Sequence, residues 1–219
     1  MAQGALKRKA HHPRWQRRKE ARPGEIVAAA LQVFVERGFA SAKLVDVARR
    51  AGVTKGTLYL YFASKEALFK AMVRQTIVPA IATGEQIVSA HQGSAADLFR
   101  EITHGWWERV GATPASGIPK LMMAEAGNFP ELARFYYDEV ISRGHRLMAT
   151  VLERGIASGE FRPLDVDLGV RLALAPLLHA ANWRHSWALC TPEGFDVARF
   201  IDHHVDIFLR GIAQHPAQD

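Results

Sequence analysis

Residues 44–69, LVDVARRAGVTKGTLYLYFASKEALF, constrain the fold of this chain more than any other stretch. Leu44, Val47, Ala48 and Ala51 recur at helical spacing, which predicts a short helix with one buried stripe. Gly52 stands where a residue with positive φ would end that helix and turn the chain. Thr54 is placed to cap the next helix, because its hydroxyl can accept a bond from an unpaired first-turn amide. Within that helix Leu58 and Phe62 sit four apart and face inward together, leaving Lys55, Thr57, Tyr59 and Tyr61 pointing largely outward. Another helix opens at Ser64. Two short helices joined by a tight turn, with lysine, threonine and tyrosine on the free face, suit the major groove of DNA.

Charge follows the same division. The net charge is +6 over 219 residues. Residues 1–75 hold sixteen Lys and Arg against five Asp and Glu, a net of +11, while residues 76–219 hold twelve against seventeen, a net of −5. Such a split places a polyanionic partner at the N-terminal third and argues against nucleic acid coating the remainder. Hydrophobic content of 48% and charged content of 23% are those of an ordinary soluble globular protein.

Three parts are expected. Residues 1–22 read as a basic flexible arm whose only acid is Glu20. Within it Arg14, Arg17 and Arg18 are candidates to lie along the minor groove or phosphates, the alternative being a solubilising tail. Pro23 suits the first turn of a helix that Ile26, Ala30, Val33 and Phe34 carry to Gly38. Residues 23–75 then form a three-helix helix-turn-helix unit with the start of a fourth helix. From residue 76 to 219 the pattern is helical, without strand alternation of useful length. Glycine and proline breaks place helices at 64–80, 80–91, 95–111, 118–127, 130–157, 165–190 and 194–213. The last two carry apolar stripes, Leu168, Leu172, Ala175 and Leu178 on one and Val197, Ile201, Val205 and Phe208 on the other. That much apolar surface at a chain end points to a partner.

The N-terminal third resembles the DNA-binding domain of the tetracycline-repressor (TetR) family of bacterial transcription regulators. The matching residues are Ile26, Ala29, Ala30, Phe34, Gly38-Phe39, Val47-Ala48, Ala51-Gly52-Val53, Lys55-Gly56-Thr57-Leu58-Tyr59, Tyr61-Phe62 and Ser64-Lys65-Glu66. Beyond residue 76 the likeness rests on length, helical patterning and the phrase Ala124-Glu125-Ala126 before Phe129-Pro130. The resemblance implies an all-α fold in which the helix-turn-helix domain precedes a larger helical effector-binding and dimerisation domain. By the same carry-over Thr54, Lys55, Gly56, Thr57, Tyr59 and Tyr61 meet the groove or nearby phosphates, with Lys55 reading a base edge. Lys65 occupies the place of a phosphate-binding lysine at the start of the fourth helix. Tyr61 stands where many relatives have histidine, and Leu60 either meets a thymine methyl or is partly buried. Before the second helix the family's capping threonine or serine is replaced by Ser41-Ala42-Lys43-Leu44, so either Ser41 caps from a shifted position or Lys43 supplies a phosphate contact by charge.

The resemblance further implies a cytoplasmic homodimeric regulator, most simply a repressor, joined through a bundle of the last two helices of each subunit. Its two recognition helices would enter successive major grooves of a near-palindromic double-stranded operator, roughly 34–36 Å apart. A small apolar or aromatic effector would bind the large domain and act on DNA through the fourth helix. Candidate pocket residues are His104, Trp106, Trp107, Met122, Met123, Phe135, Tyr136, His179 and Trp183, which as individual residues are equally readable as core. The alternative function is a small-molecule- or partner-binding protein of the same fold that no longer reads DNA.

Other classes find little support. The single cysteine, Cys190, allows no intramolecular disulfide. The longest apolar run, Leu172–Leu178, contains Pro176 and falls well short of the about 20 residues of a membrane helix. No Gly-x-Ser-x-Gly, phosphate-cradling glycine loop or cysteine–histidine pair is present, so no catalytic residue and no cofactor are expected. The ten histidines have no metal-binding spacing, and Asp202, His203 and Asp206 read as a solvated helix face.

Overall fold

The computed structural model describes residues 14–190 and 194–214, with side chains from Arg22 onward, Leu189 apart. Among the described residues eleven α-helices are ordered α1 (Arg14–Arg37), α2 (Leu44–Arg50), α3 (Lys55–Tyr61), α4 (Lys65–Thr76), α5 (Val78–Ala90), α6 (Ala95–Trp106), α7 (Gly117–Glu125), α8 (Pro130–Tyr136), α9 (Ser142–Ser158), α10 (Val166–Arg184) and α11 (Val197–Ile212). Among the described residues the extended pairing is one isolated antiparallel bridge, Phe161 with Ala213. The fold is all-α, as expected. Two helices pass into π turns: α6 continues through Trp107–Gly111, and Tyr137–Ile141 joins α8 to α9.

Several boundaries differ from the sequence reading. α1 begins at Arg14 and carries Pro23 in its interior, so residues 14–22 belong to a helix and not to a flexible arm. Proline strips one backbone bond from a helix interior, but the flank from Arg14 to Arg22 consists almost wholly of strong helix formers. Residues 1–13 of the expected arm lie outside the described residues. The break between α4 and α5 falls at Ile77, two residues before Pro79 takes a first-turn position in α5. α10 stops at Arg184, short of the expected 190, and α11 starts at Val197 with Asp196 accepting from the Arg199 amide at 3.0 Å.

Two cores organise the molecule. The first packs Phe34, Phe39, Leu58, Leu68, Phe69 and Met72 of α1–α4 and the loop after α1. It does not close at residue 75, because Ile118, Leu121, Met122, Leu132 and Tyr136 of α7 and α8 belong to it. The second joins α5, α6, α9, α10 and α11. Here the expected partner-facing stripe of the last helix is corrected. Ile201 and Val205 are buried in this second core, Val197 is packed against it, and Phe208 stacks on Phe99 with centroids 5.0 Å apart. The apolar face of α6, with Leu98, Phe99 and Ile102, is what they cover.

Candidate nucleic-acid interface and apolar cavity

The α2–α3 unit is built by local bonds. Gly52 takes φ 64°, and the Val53 amide turns back to the Ala48 carbonyl at 2.9 Å. Thr54 then caps α3, its hydroxyl oxygen accepting from the Thr57 amide at 3.1 Å. The two threonine hydroxyls also share a bond of 2.9 Å. That bond uses one of their two protons, so the other is free for an outside acceptor such as a phosphate oxygen. Leu58 is fully buried and Phe62 nearly so, which leaves Lys55, Gly56, Tyr59 and Leu60 exposed, with Lys55 Nζ 5.7 Å from the Tyr59 ring centre. Thr57 is half-buried. Tyr61 is corrected from an outward position: it is half-buried against the first core.

At the start of α2 Lys43 is the cap residue, and its side chain makes no cap bond. Lys43 is exposed. Lys65 is the larger correction. Its ammonium donates to the carbonyls of Phe39, Ala40 and Ala42 at 2.7, 3.1 and 3.2 Å and lies 4.5 Å from the Phe39 ring centre. An ammonium has three protons, and all three point into the loop between α1 and α2. Lys65 therefore holds the loop, with no proton left for a phosphate. Arg14, Arg17 and Arg18 lie on the first turns of α1, and their side chains fall outside what is described.

A cavity of about 890 Å³ lies between α5, α6, α7, α8, α9 and α10. Its wall is mainly aliphatic, including Ile81, Ile102, Val110, Met148 and Leu177. Both π turns contribute, through Arg109 and Val110 and through Tyr137, Val140 and Ile141. The inner polar groups are uncharged at neutral pH. Burial pushes the Tyr136 phenol far above its ordinary range. Burial, with Arg171 nearby, lowers His145 below its usual value, so its imidazole is neutral. Charges sit at the exposed rim, where Arg109 and Arg134 stand with Glu101 and Asp138.

Of the expected pocket residues, Trp106, Met122, Met123 and Tyr136 line this cavity and the others do not. His104 bonds Asp202 at 2.9 Å between α6 and α11, and Trp107 packs against the second core with Arg184 over its ring. Phe135 turns toward α4, beneath Lys70 and Arg74. His179 and Trp183 join Phe195 and Phe200 in a separate aromatic cluster. Sequence reasoning missed Ile81, Ile102 and Leu177, ordinary aliphatics whose periodicity marks a buried face but not a void beside it. Asp202, His203 and Asp206 take different partners, His104, the Arg199 carbonyl and Arg210.

On α10, Leu168, Leu172 and Leu178 are 56, 65 and 40% exposed, and Ala175 is exposed beside them. This is a continuous apolar face open to a partner. Leu178 also lines the cavity.

Residues 26–72 match the model for bacterial regulatory proteins of the tetR family, and residues 89–189 match the tetracyclin repressor-like C-terminal domain. The transcriptional repressor KstR2 of Mycobacterium tuberculosis is 32% identical over 172 residues, covering 74% of this chain and 81% of its own. The chain belongs to the TetR family. The structure of the ketosteroid transcriptional regulator KstR2 of M. tuberculosis superimposes with a TM-score of 0.71 at 26% identity, over 89% of this chain and 96% of that one. FadR from Bacillus subtilis, solved in complex with stearoyl-CoA, shares the fold with a TM-score of 0.67 at 20% identity, over 86% and 98% of the chains. As a TetR-family member the chain is a DNA-binding transcription regulator, and the α2–α3 unit lies within the stretch that matches the family's DNA-binding domain. TetR regulators act as dimers and answer small-molecule effectors. Among the described residues no helix is long and apolar enough to cross a membrane.

Proposed function

We propose that this regulator is a cytoplasmic repressor without catalytic activity, released from its operator by an elongated apolar acid carried as its coenzyme A thioester. The cavity carries this reading: about 890 Å³, aliphatic and uncharged within, with Arg109 and Arg134 beside Glu101 and Asp138 at the rim. Apolar pockets of 300–1,000 Å³ enclose drug-sized ligands, and an interior without charge disfavours a carboxylate or phosphate at depth. On this reading the apolar chain lies inside and the anionic carrier lies beside the two arginines. Among the relatives, one is a ketosteroid regulator, which shares the apolar character, and another was solved with stearoyl-CoA.

On DNA, Lys55, Gly56, Tyr59 and the free threonine proton face the groove or its phosphates, with Lys43 beside them. The dimer forms on the α10 face of Leu168, Leu172, Ala175 and Leu178. The test is fluorescence anisotropy of a labelled duplex taken from the DNA flanking the gene, titrated with and without stearoyl-CoA. Release at micromolar thioester, with free stearate weaker, is the expected result; indifference to both ligands rejects the effector assignment.

A further inference from the structure

We propose that the corner between α7 and α8, acting through the Glu125 carboxylate and the Phe129 ring, sets the position of the loop Gly38–Ala42 and thereby of the DNA-reading unit that follows it. Glu125 and Phe129 are positioning residues. The inference rests on the functional reading above only for what fills the cavity.

The loop leads directly into α2, so a shift of the loop moves α2 and, through the Gly52 turn, α3. Lys65 fixes it from within the head by the three carbonyl bonds already described. From outside the head, Glu125 Oε1 accepts the Ala40 amide at 2.9 Å, across 85 residues of sequence. Phe129 packs edge-on against Phe39 with ring centroids 4.8 Å apart. Glu125 is only 8% exposed. Burying a carboxylate is costly, and an apolar side chain would serve packing better. What the carboxylate adds is a directed bond to one amide. Gly38 fits this contact: its φ is +80°, and a Cβ there would lie 3.0 Å from Glu125 Oε1.

The same corner walls the cavity. Met122, Met123 and Ala126 bracket Glu125, and Pro130 follows Phe129; all four line the cavity. α7 is a short helix with the cavity on one side and the loop on the other. An occupant that displaces Met122 carries Glu125 with it, and packed elements of this kind shift between discrete arrangements. This route reaches α2 without passing through α4, which meets the sensing half separately, through Arg74 with Glu139 at 2.8 Å and through Lys70 and Arg74 over the Phe135 ring.

The test compares full-length wild type with Glu125→Gln, Glu125→Ala and Phe129→Leu. Amide hydrogen exchange is followed across residues 38–46, and binding to the flanking-DNA duplex is measured with and without stearoyl-CoA. Glutamine keeps an acceptor for the Ala40 amide and alanine does not. Without ligand, Glu125→Ala is expected to lose protection at Ala40 and to weaken duplex binding by at least about fivefold, the lower end of usual coupling, while Glu125→Gln stays near wild type. With saturating stearoyl-CoA, Glu125→Ala and Phe129→Leu are expected to show less than about half the wild-type fold-change in duplex affinity, although tryptophan fluorescence reports wild-type ligand binding. Unchanged Ala40 protection in Glu125→Ala, or a full ligand response in it, overturns the proposal. If Glu125→Ala does not fold, Phe129→Leu against wild type decides by the same two readouts. If stearoyl-CoA leaves wild-type DNA binding unmoved, the effector assignment fails, and Ala40 exchange with ligand-free affinity still decides the role of Glu125.

Discussion

In the reading head, Leu58 is fully buried beneath a helix capped by Thr54, and Lys65 spends its three protons on one loop. Around the cavity, Met123, Tyr137 and Leu178 remain 72, 56 and 40% exposed, and two helices loosen into π turns. The head is held by local bonds at the Gly52 turn and the Thr54 cap and by the Lys65 bonds to the loop more than twenty residues upstream. The cavity is walled by six helices, α5 to α10, whose side chains there are less completely buried. On the proposed reading, a tightly packed head beside a more open cavity wall would let a ligand reorient the head without deforming the surface that meets DNA.

The contrast breaks first at Leu58. Leu58→Ala is expected to cost about 3 kcal/mol and abolish specific DNA binding, whereas Tyr137→Ala on the cavity wall costs under about 1 kcal/mol; urea unfolding of both variants tests this. Equal losses would mean that the head is no more tightly specified than the sensor. Next comes Lys65→Ala, expected to cost about 2 kcal/mol through its three carbonyls. Its log–log salt dependence of DNA binding should match wild type, whereas Lys55→Ala should flatten the slope by about 0.9. A flattened slope in Lys65→Ala would restore it as a phosphate contact. Thr54→Ala follows at about 1 kcal/mol, read from thermal melts, with weaker duplex binding because the α3 cap and the free hydroxyl proton are lost together.

The smallest effect is pH. His145, His185 and His204 are each held below the ordinary histidine value, by burial first; nearby cations add to it for His145 and His185, while the bond to the Ala173 carbonyl partly offsets it for His204. The unfolded chain then binds protons more readily than the folded one. Stability is thus complete above the ordinary value of 6.5 and falls as pH drops below it toward the folded values. Thermal melts from about pH 7.5 to about pH 5.5 should record a declining Tm, less steep in His204→Gln. A flat profile would remove burial as a factor at these sites.

Legibility in the sequence follows the same contrast. Gly52, Thr54 and the pair Leu58 and Phe62 act on near neighbours, so spacing alone was enough to place the turn, the cap and the buried face. The Lys65 bonds to the loop are invisible to spacing because its partners lie more than twenty residues upstream and are backbone carbonyls, which carry no residue identity. The stripe Val197–Phe208 was read correctly as apolar, but periodicity does not say whether the covering surface belongs to the same chain. Aromatic residues drew attention as pocket candidates, yet Phe135 and Trp107 pack elsewhere while plain isoleucines make the wall. Glu125 stood in a recognisable phrase before Phe129-Pro130, and only the fold brought it to Ala40.

The two π turns have an evolutionary consequence. In a π turn the backbone bond spans five residues instead of four, as from the Ala112 amide to the Trp107 carbonyl. Each holds one residue more than an α-helical path would need, and both border the cavity. Loss of a single codon at either place would restore α geometry locally and re-aim wall side chains, with the helices before and after left intact. A one-residue deletion at either π turn would therefore alter the cavity wall while leaving the operator-reading residues untouched.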